Sequence, residues 1–357
     1  AQQVTCGAGV TLAQAQTHVA SASFDIGVDL AARDSCTIGG MIATNAGGIN
    51  VLRYGAMREQ VLGIEAVLAD GSVVSHLEGL EKDNTGYHFP SLFAGSEGTL
   101  GIITRARLRL HPHLTDRCTA MLAFDSVEDA VAATSALRRS VTSLHAVEVI
   151  FRDAMHLVCE HINSAVPIGA NSEAWLIVEA AASSDPTEEF AAAIDSLGRL
   201  VVDVGVGVDS SSRNNLWQYR EKVTEAISAK GTPHKLDVTL GASKLAEFVT
   251  QVPSVVSAID RGSSVYMFGH LGDGNVHVNV LGNAGDEPPE AVDAAVLEYA
   301  AKLGGSISAE HGIGTAKKEF LHLNRTSAEI FAFRSIKHAL DPRQILNPHV
   351  LLPSEDS

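Results

Sequence analysis

Aromatic residues make up only 5% of this chain, and cysteines are fewer still. Cys6, Cys36, Cys118 and Cys159 are scattered, with no CxxC pair. That excludes a disulfide framework or a cysteine-rich zinc site and points to reduced thiols in a cytosolic setting. No apolar run is long enough to span a bilayer, and no signal-peptide pattern is present. Positive charge is also short: 26 Lys and Arg face 42 Asp and Glu, a net charge of −16. This argues against nucleic acid and anionic membrane surfaces as partners, and an anionic substrate would need local cations. There is no internal repeat and no low-complexity segment. The 357 residues, 45% apolar, suffice for two domains with separate cores. The chain begins at Ala1 and reads from Val4 as though already inside a domain, which suggests a processed or truncated boundary.

What the chain does have is glycine and histidine gathered in two places. In Gly269-His270-Leu271-Gly272-Asp273-Gly274-Asn275-Val276-His277-Val278-Asn279, Asp273-Gly274 fits a two-residue type I′ turn between apolar strands. A turn centred there pairs 272/275, 271/276 and 270/277. His270 and His277 would then stand opposite each other, with Cβ atoms roughly 5 Å apart. Asn279 projects on the same face. The second cluster, Gly304 to Gly314, holds Glu310 and His311 among glycines that let a ligand approach. Two histidines and a glutamate, with positions left open, match a catalytic zinc or manganese centre. His311 is left as an acid or base. A hairpin that merely contains two histidines is the plain alternative, and the second cluster tips the balance.

Elsewhere, residues 2–7 read as a strand and Thr11 as the N-cap of a helix to about residue 20. Asp34-Ser35-Cys36-Thr37-Ile38-Gly39-Gly40-Met41-Ile42-Ala43-Thr44-Asn45-Ala46-Gly47-Gly48 crowds small residues and hydroxyls together. Such backbone offers N–H groups to a phosphate or a flat ring. Tight packing is the alternative, and without GxGxxG a Rossmann site is not indicated. Asp70-Gly71 closes a hairpin of 61–68 with 72–77, and Pro112 marks a boundary after a strand ending near Leu110. Beyond it, strands at 119–124, 146–151, 174–181, 200–208 and 234–240 alternate with helices at 126–139, 153–161, 186–197, 214–229, 243–259 and 289–303. The pattern predicts an antiparallel sheet with helices on one face. Short helices at 317–322 and 327–339 follow, with Lys317-Lys318 as a solvated helix start.

Together these motifs resemble the vanillyl-alcohol-oxidase type of FAD protein. Its flavin-wrapping loop is matched by Ser35-Cys36-Thr37-Ile38-Gly39-Gly40 with Ala43-Thr44-Asn45-Ala46-Gly47-Gly48. Val67-Leu68-Ala69-Asp70-Gly71, Lys82-Asp83-Asn84-Thr85-Gly86-Tyr87 and Gly95-Ser96-Glu97-Gly98-Thr99-Leu100-Gly101-Ile102-Ile103-Thr104 continue the match. The signatures around His270, His277, Glu310 and Asn347 are similar to the FAD-linked 2-hydroxy acid dehydrogenases, among them the D-lactate and D-2-hydroxyglutarate dehydrogenases and the glycolate oxidase FAD subunit. The resemblance runs from about Val4 to Leu352. It implies an α+β protein. Residues 1–113 would form a partial FAD-binding domain, lacking the family's N-terminal pyrophosphate-loop subdomain. Residues 114–325 would form a cap domain, an antiparallel sheet plus helices, with the metal site. Residues 326–357 would return to the FAD domain. Met41 stands where the family usually has Asn, a position beside the flavin.

The resemblance also implies a reaction: FAD-dependent, metal-assisted oxidation of a D-2-hydroxy acid of the D-lactate, D-2-hydroxyglutarate or glycolate type. The product is the 2-oxo acid, and hydride passes to flavin N5. FAD would be held by Asp34, Ser35, Ile38, Gly39, Gly40, Thr44, Asn45, Gly98, Ile103 and Asn347. The divalent metal, zinc or manganese, falls to His270, His277 and Glu310, and the substrate to Arg220, Thr224, Lys235 and Asn279. His311 becomes the general base. Implied partners are the hydroxy acid and an electron acceptor such as an electron-transfer flavoprotein, a cytochrome or a quinone, with a homodimer among the assemblies. The expected location is the cytoplasm or the periphery of the inner membrane. Two other readings stay open: an incomplete subunit unable to hold FAD alone, and a flavin-free metallohydrolase.

Overall fold

Thr11 caps the first helix, Leu12–Ala20, in both directions. Its hydroxyl accepts from the Gln14 amide, and the Gln14 side chain accepts from the Thr11 amide. This computed structural model describes residues 2–80 and 82–354. The chain divides into two units, Ala1–His113 with Glu310–Ser357, and Leu114–Ala309.

The first unit is built on five antiparallel strands: β1 (Gln3–Gly7), β2 (Phe24–Ile26), β3 (Val61–Val67), β4 (Val73–His76) and β5 (Ile102–Pro112). β5 is the centre of this sheet, pairing with β1, β2 and β3, while β4 completes the hairpin with β3. Gly71 closes that hairpin at φ +86, and the Asp70 carboxylate accepts from the Ser72 amide at 2.9 Å. The helix Ile38–Thr44 turns Ile38, Met41 and Ile42 into the core beside Leu12, Ile64 and Phe93. Met41 is thus a core residue, because it shares the apolar stripe at i and i+3 with Ile38.

The chain rejoins this unit at Glu310, earlier than the expected residue 326. The segment after Ala309 is tied down at once: Glu310 Oε2 accepts from the Gly48 amide at 2.8 Å, and Glu97 accepts from Ile313 and Gly314. Lys317, expected in water, is only 8% exposed. Its amide donates to the Ile313 carbonyl, folding the segment back so that its stem is covered, and the 3-10 helix begins at Lys318 (Lys318–Leu323).

The second unit carries a seven-stranded antiparallel sheet: β6 (Asp116–Phe124), β7 (Leu144–Phe151), β8 (Ala174–Ala182), β9 (Asp203–Gly207), β10 (His234–Thr239), β11 (Ser264–His270) and β12 (Asn275–Leu281). Their spatial order is β10-β12-β11-β7-β8-β6-β9. The registers sort side chains onto two unlike faces. One is aliphatic, with Leu122, Leu176, Val178, Val147, Val149, Val276 and Val278. Helices Val127–Ser140, Ala242–Ile259 and Ala291–Lys302 cover it. The other has an apolar patch around Trp175, Ile177, Ile150 and Phe268, under helices Arg152–His161, Ser210–Glu221 and Val223–Lys230. Helices therefore cover both faces rather than one, since every residue of β7 is buried.

Two further expectations are corrected. The single helix at 214–229 is two, Ser210–Glu221 and Val223–Lys230, with Lys222 as the turn residue between them. Thr224 therefore starts a new helix and is exposed, not one turn beyond Arg220 on a shared helix. In the hairpin, His270 pairs with Asn275 and His277 with Phe268. The loop is four residues, Leu271 to Gly274, and of the Asp273-Gly274 pair only Gly274 has positive φ, which rules out type I′. The register is displaced by two residues, and an even displacement keeps both histidines on one face.

Candidate active site

On the second unit's mixed face, four strands bring polar side chains into rows. β7, β11, β12 and β10 align Glu148, His270, Asn275 and Thr239 in one row. The next row holds Ile150, Phe268, His277 and Asp237, and a third holds Tyr266, Asn279 and Lys235. The two imidazole rings lie edge to face, centroids 5.3 Å apart.

Each histidine turns Nδ1 toward a buried carboxylate. His270 Nδ1 is 2.7 Å from Glu148 Oε1, and His277 Nδ1 is 3.4 Å from Asp237 Oδ1. Asp237 has no solvent exposure; its Oδ1 accepts from Asn275 Nδ2 at 2.7 Å and its Oδ2 from the Ala309 amide at 3.0 Å. Burial pushes the Glu148 carboxyl up, but the His270 ring and the Arg220 guanidinium beside it outweigh that and hold the group below its ordinary range. Burial pushes His277 down, against the pull of Asp237. A neutral imidazole is the form that binds a metal. Two imidazoles on one sheet face are donors of the kind a divalent cation takes.

Arg220 is placed differently from the substrate clamp expected of it. Its Nε lies 2.8 Å from Glu148 Oε2, although the N–H is not aimed at the oxygen, and its guanidinium stacks 4.6 Å from the Phe268 ring centre. Lys235 is exposed on β10, directly across from buried Asn279.

In the first unit, Glu310 lies in a loop with its carboxylate on the Gly48 amide, and His311 is 53% exposed beside it, Nε2 to Oε1 3.9 Å. Glu97 and Gly98, both at positive φ, bring the Asn347 side chain onto the Glu97 carbonyl at 2.6 Å. A cleft of about 490 Å³ opens here. Of the ten residues expected to hold FAD, Gly39, Gly40, Gly98, Ile103 and Asn347 line it. The glycine floor and the Ile102–Ile103 wall suit a flat ring.

The other five do not line it. Ile38 is in the core, and Thr44 bonds the Gly40 carbonyl. Asn45 ends its helix at φ +52 and accepts from the Arg58 amide. Asp34 is exposed, and so is Ser35, which bonds Ala32. The amides of Ile38 and Gly39 are used by the Val10 and Ala8 carbonyls, so they are not phosphate donors. Gly39 is glycine because a Cβ would stand 2.7 Å from that of Ala8.

Glu148, Asp237 and Glu97 were not foreseen. A lone carboxylate inside the apolar run Ala146-Val147-Glu148-Val149-Ile150 was a readable signal. So was Asp237, two residues from Lys235 on the same strand face.

Comparison with known proteins decides the family. A model described as "FAD linked oxidases, C-terminal domain" matches residues 114–351, and one described as "FAD binding domain" matches residues 1–76. The chain belongs to the FAD-linked oxidase family. It is 36% identical over 357 residues to the mitochondrial D-2-hydroxyglutarate dehydrogenase of Bos taurus, covering 98% of this chain and 65% of that one. To the D-2-hydroxyglutarate dehydrogenase of Xanthomonas citri pv. viticola it is 38% identical over 341 residues, 92% of this chain and 71% of the relative. The chain spans about two thirds of the length of the plant and animal relatives it matches, 64% for one from Oryza sativa. A solved alkyldihydroxyacetonephosphate synthase shares the fold, with a TM-score of 0.70 at 16% identity over 97% of this chain and 64% of that one. The vanillyl-alcohol-oxidase-type α+β architecture follows from these matches.

Proposed function

We propose that this FAD-linked oxidase oxidises a D-2-hydroxy acid, D-2-hydroxyglutarate first among candidates, to the 2-oxo acid. The observation that carries the reading is the pair of buried imidazoles, each turned by Nδ1 to a carboxylate, in a chain of this family. The cleft residues would hold FAD, which would supply a hydride acceptor, and His270, His277 and Glu310 would hold a zinc or manganese ion, which would lower the pKa of the substrate hydroxyl. His311, on an exposed loop, takes the hydroxyl proton. Asn279 and Lys235, paired across β12 and β10, orient the carboxylate, with the Lys235 ammonium reachable from solvent. Thr224, exposed near the start of its own helix, adds a hydroxyl for the substrate. The electrons leave to a protein carrier or quinone. The four thiols, unpaired, fit a reducing compartment such as the cytoplasm.

A second reading has its own support. With the Ile38 and Gly39 amides occupied, the FAD pyrophosphate takes no donors from them. On that reading the flavin is held only together with another polypeptide segment. One experiment separates the two: a visible spectrum of the purified chain with and without added FAD, then with D-2-hydroxyglutarate and D-lactate. A flavin band that bleaches with one acid supports the dehydrogenase. No band with excess FAD supports the second reading, and a stable band that neither acid bleaches removes the first.

A further inference from the structure

We infer that Glu148 and Asp237 are positioning residues that hold His270 and His277 as Nδ1–H tautomers, so that both rings present Nε2 to a divalent cation. The inference rests on the metal-centre reading above and deepens it.

The register makes each carboxylate the cross-strand partner of its histidine. Glu148 on β7 stands opposite His270 on β11, and Asp237 on β10 stands opposite His277 on β12. The β11–β12 hairpin is thus gripped from both sides by strands adding one carboxylate each, and all four side chains share a face. Glu148 is 1% exposed and Asp237 fully buried. An ionised carboxylate accepts only, so a ring nitrogen pointed at it carries the proton. At His270 the assignment rests on the 2.7 Å contact. At His277 the contact is longer, 3.4 Å, because Asp237 Oδ1 also receives Asn275 Nδ2.

The two carboxylates are balanced in different ways. Glu148 faces the Arg220 guanidinium at 2.8 Å, which gives Arg220 a role through Glu148. Asp237 is compensated by amides, and its Oδ2 holds the N–H of Ala309, the residue bonded to Glu310. One aspartate therefore steadies both an imidazole on the sheet and the backbone amide of Ala309. Carboxylates that orient ligating histidines in this way raise ligand basicity and metal affinity.

The test uses the full chain, 15N-labelled and metal-free, with two-bond proton–nitrogen spectra assigned through His270→Gln and His277→Gln. Equilibrium dialysis against Zn²⁺ and Mn²⁺ follows. Both histidines should be Nδ1–H tautomers. Glu148→Gln and Asp237→Asn should each mix the tautomers of their own histidine and weaken ion binding about 10- to 100-fold. Glu179→Gln is the control. That carboxylate is buried on the same face but serves Arg117, Thr119 and Trp217, so its loss should lower thermal stability without moving either tautomer or the affinity. Unchanged tautomers in the two variants, or wild-type ion affinity in both, would overturn the inference. A wild-type chain with both tautomers as stated that binds neither ion would sink the metal-centre reading while upholding the tautomer assignment.

Discussion

The Glu97 carboxylate accepts the amide of Gly314 through Oε2 at 2.7 Å, and that of Ile313 through Oε1 at the same distance. Gly312 comes so near that a Cβ there would lie 2.7 Å from Oε1. A side chain far away in sequence thereby shapes the loop that carries His311. Glu97→Gln would set an amide donor against these N–H groups. If the reading of His311 holds, turnover should fall by about a hundredfold, the cost of misplacing a reacting group by about 1 Å, while any flavin spectrum stays the same. Equal turnover would show that the loop keeps its shape unaided.

His311→Ala should lower turnover by about 10²- to 10⁴-fold without loss of bound ion or flavin. Because the ring is 53% exposed, added imidazole should restore part of the rate. A variant with undiminished turnover would remove His311 from proton transfer.

Arg220→Met should act on stability before it acts on substrate. It strands Glu148, buried to 1%, without its cation, at a cost of about 3–5 kcal/mol. Urea unfolding reads this directly. A raised KM at unchanged stability would place the guanidinium on the substrate after all.

Glu189 gives a pH test away from the site. Hydrogen bonds from the Ser143 and Thr142 hydroxyls and amides pull its carboxyl down to about 2. A depressed folded-state pKa adds stability above the unfolded carboxylate range, about 4.3, and the gain is lost as pH falls toward 2. Glu189→Gln should therefore cost about 1 kcal/mol at neutral pH, and the gap to wild type should close in acid. A gap that does not change between neutral pH and acid would show that the charge is not what matters.

Much of this was legible because the signals were local. Thr11 caps the helix it was expected to cap, and strand and helix alternation in the second unit follows apolar periodicity. The hairpin's face was read correctly although its register was not. Side-chain parity is set by the strand, whereas register depends on the loop, and Leu271 to Gly274 takes four residues where two were expected. The glycine stretch misled in part because composition cannot say which partner an amide meets: Gly39 donates to Ala8, thirty-odd residues earlier. The Arg220–Glu148 pair was hidden for the same reason, since Glu148 lies in another element far away in sequence.

The alternation of side chains along β12 carries an evolutionary consequence. Within β12, aliphatic Val276, Val278 and Val280 alternate with Asn275, His277 and Asn279. A single-codon insertion or deletion there would exchange the two sets at a stroke, sending histidine among aliphatic side chains and valine to the polar rows. Gains or losses of two codons in the loop preserve the allocation. Length variation among natural versions of this hairpin should accordingly favour even steps, with odd ones appearing only where a bulge absorbs the extra residue.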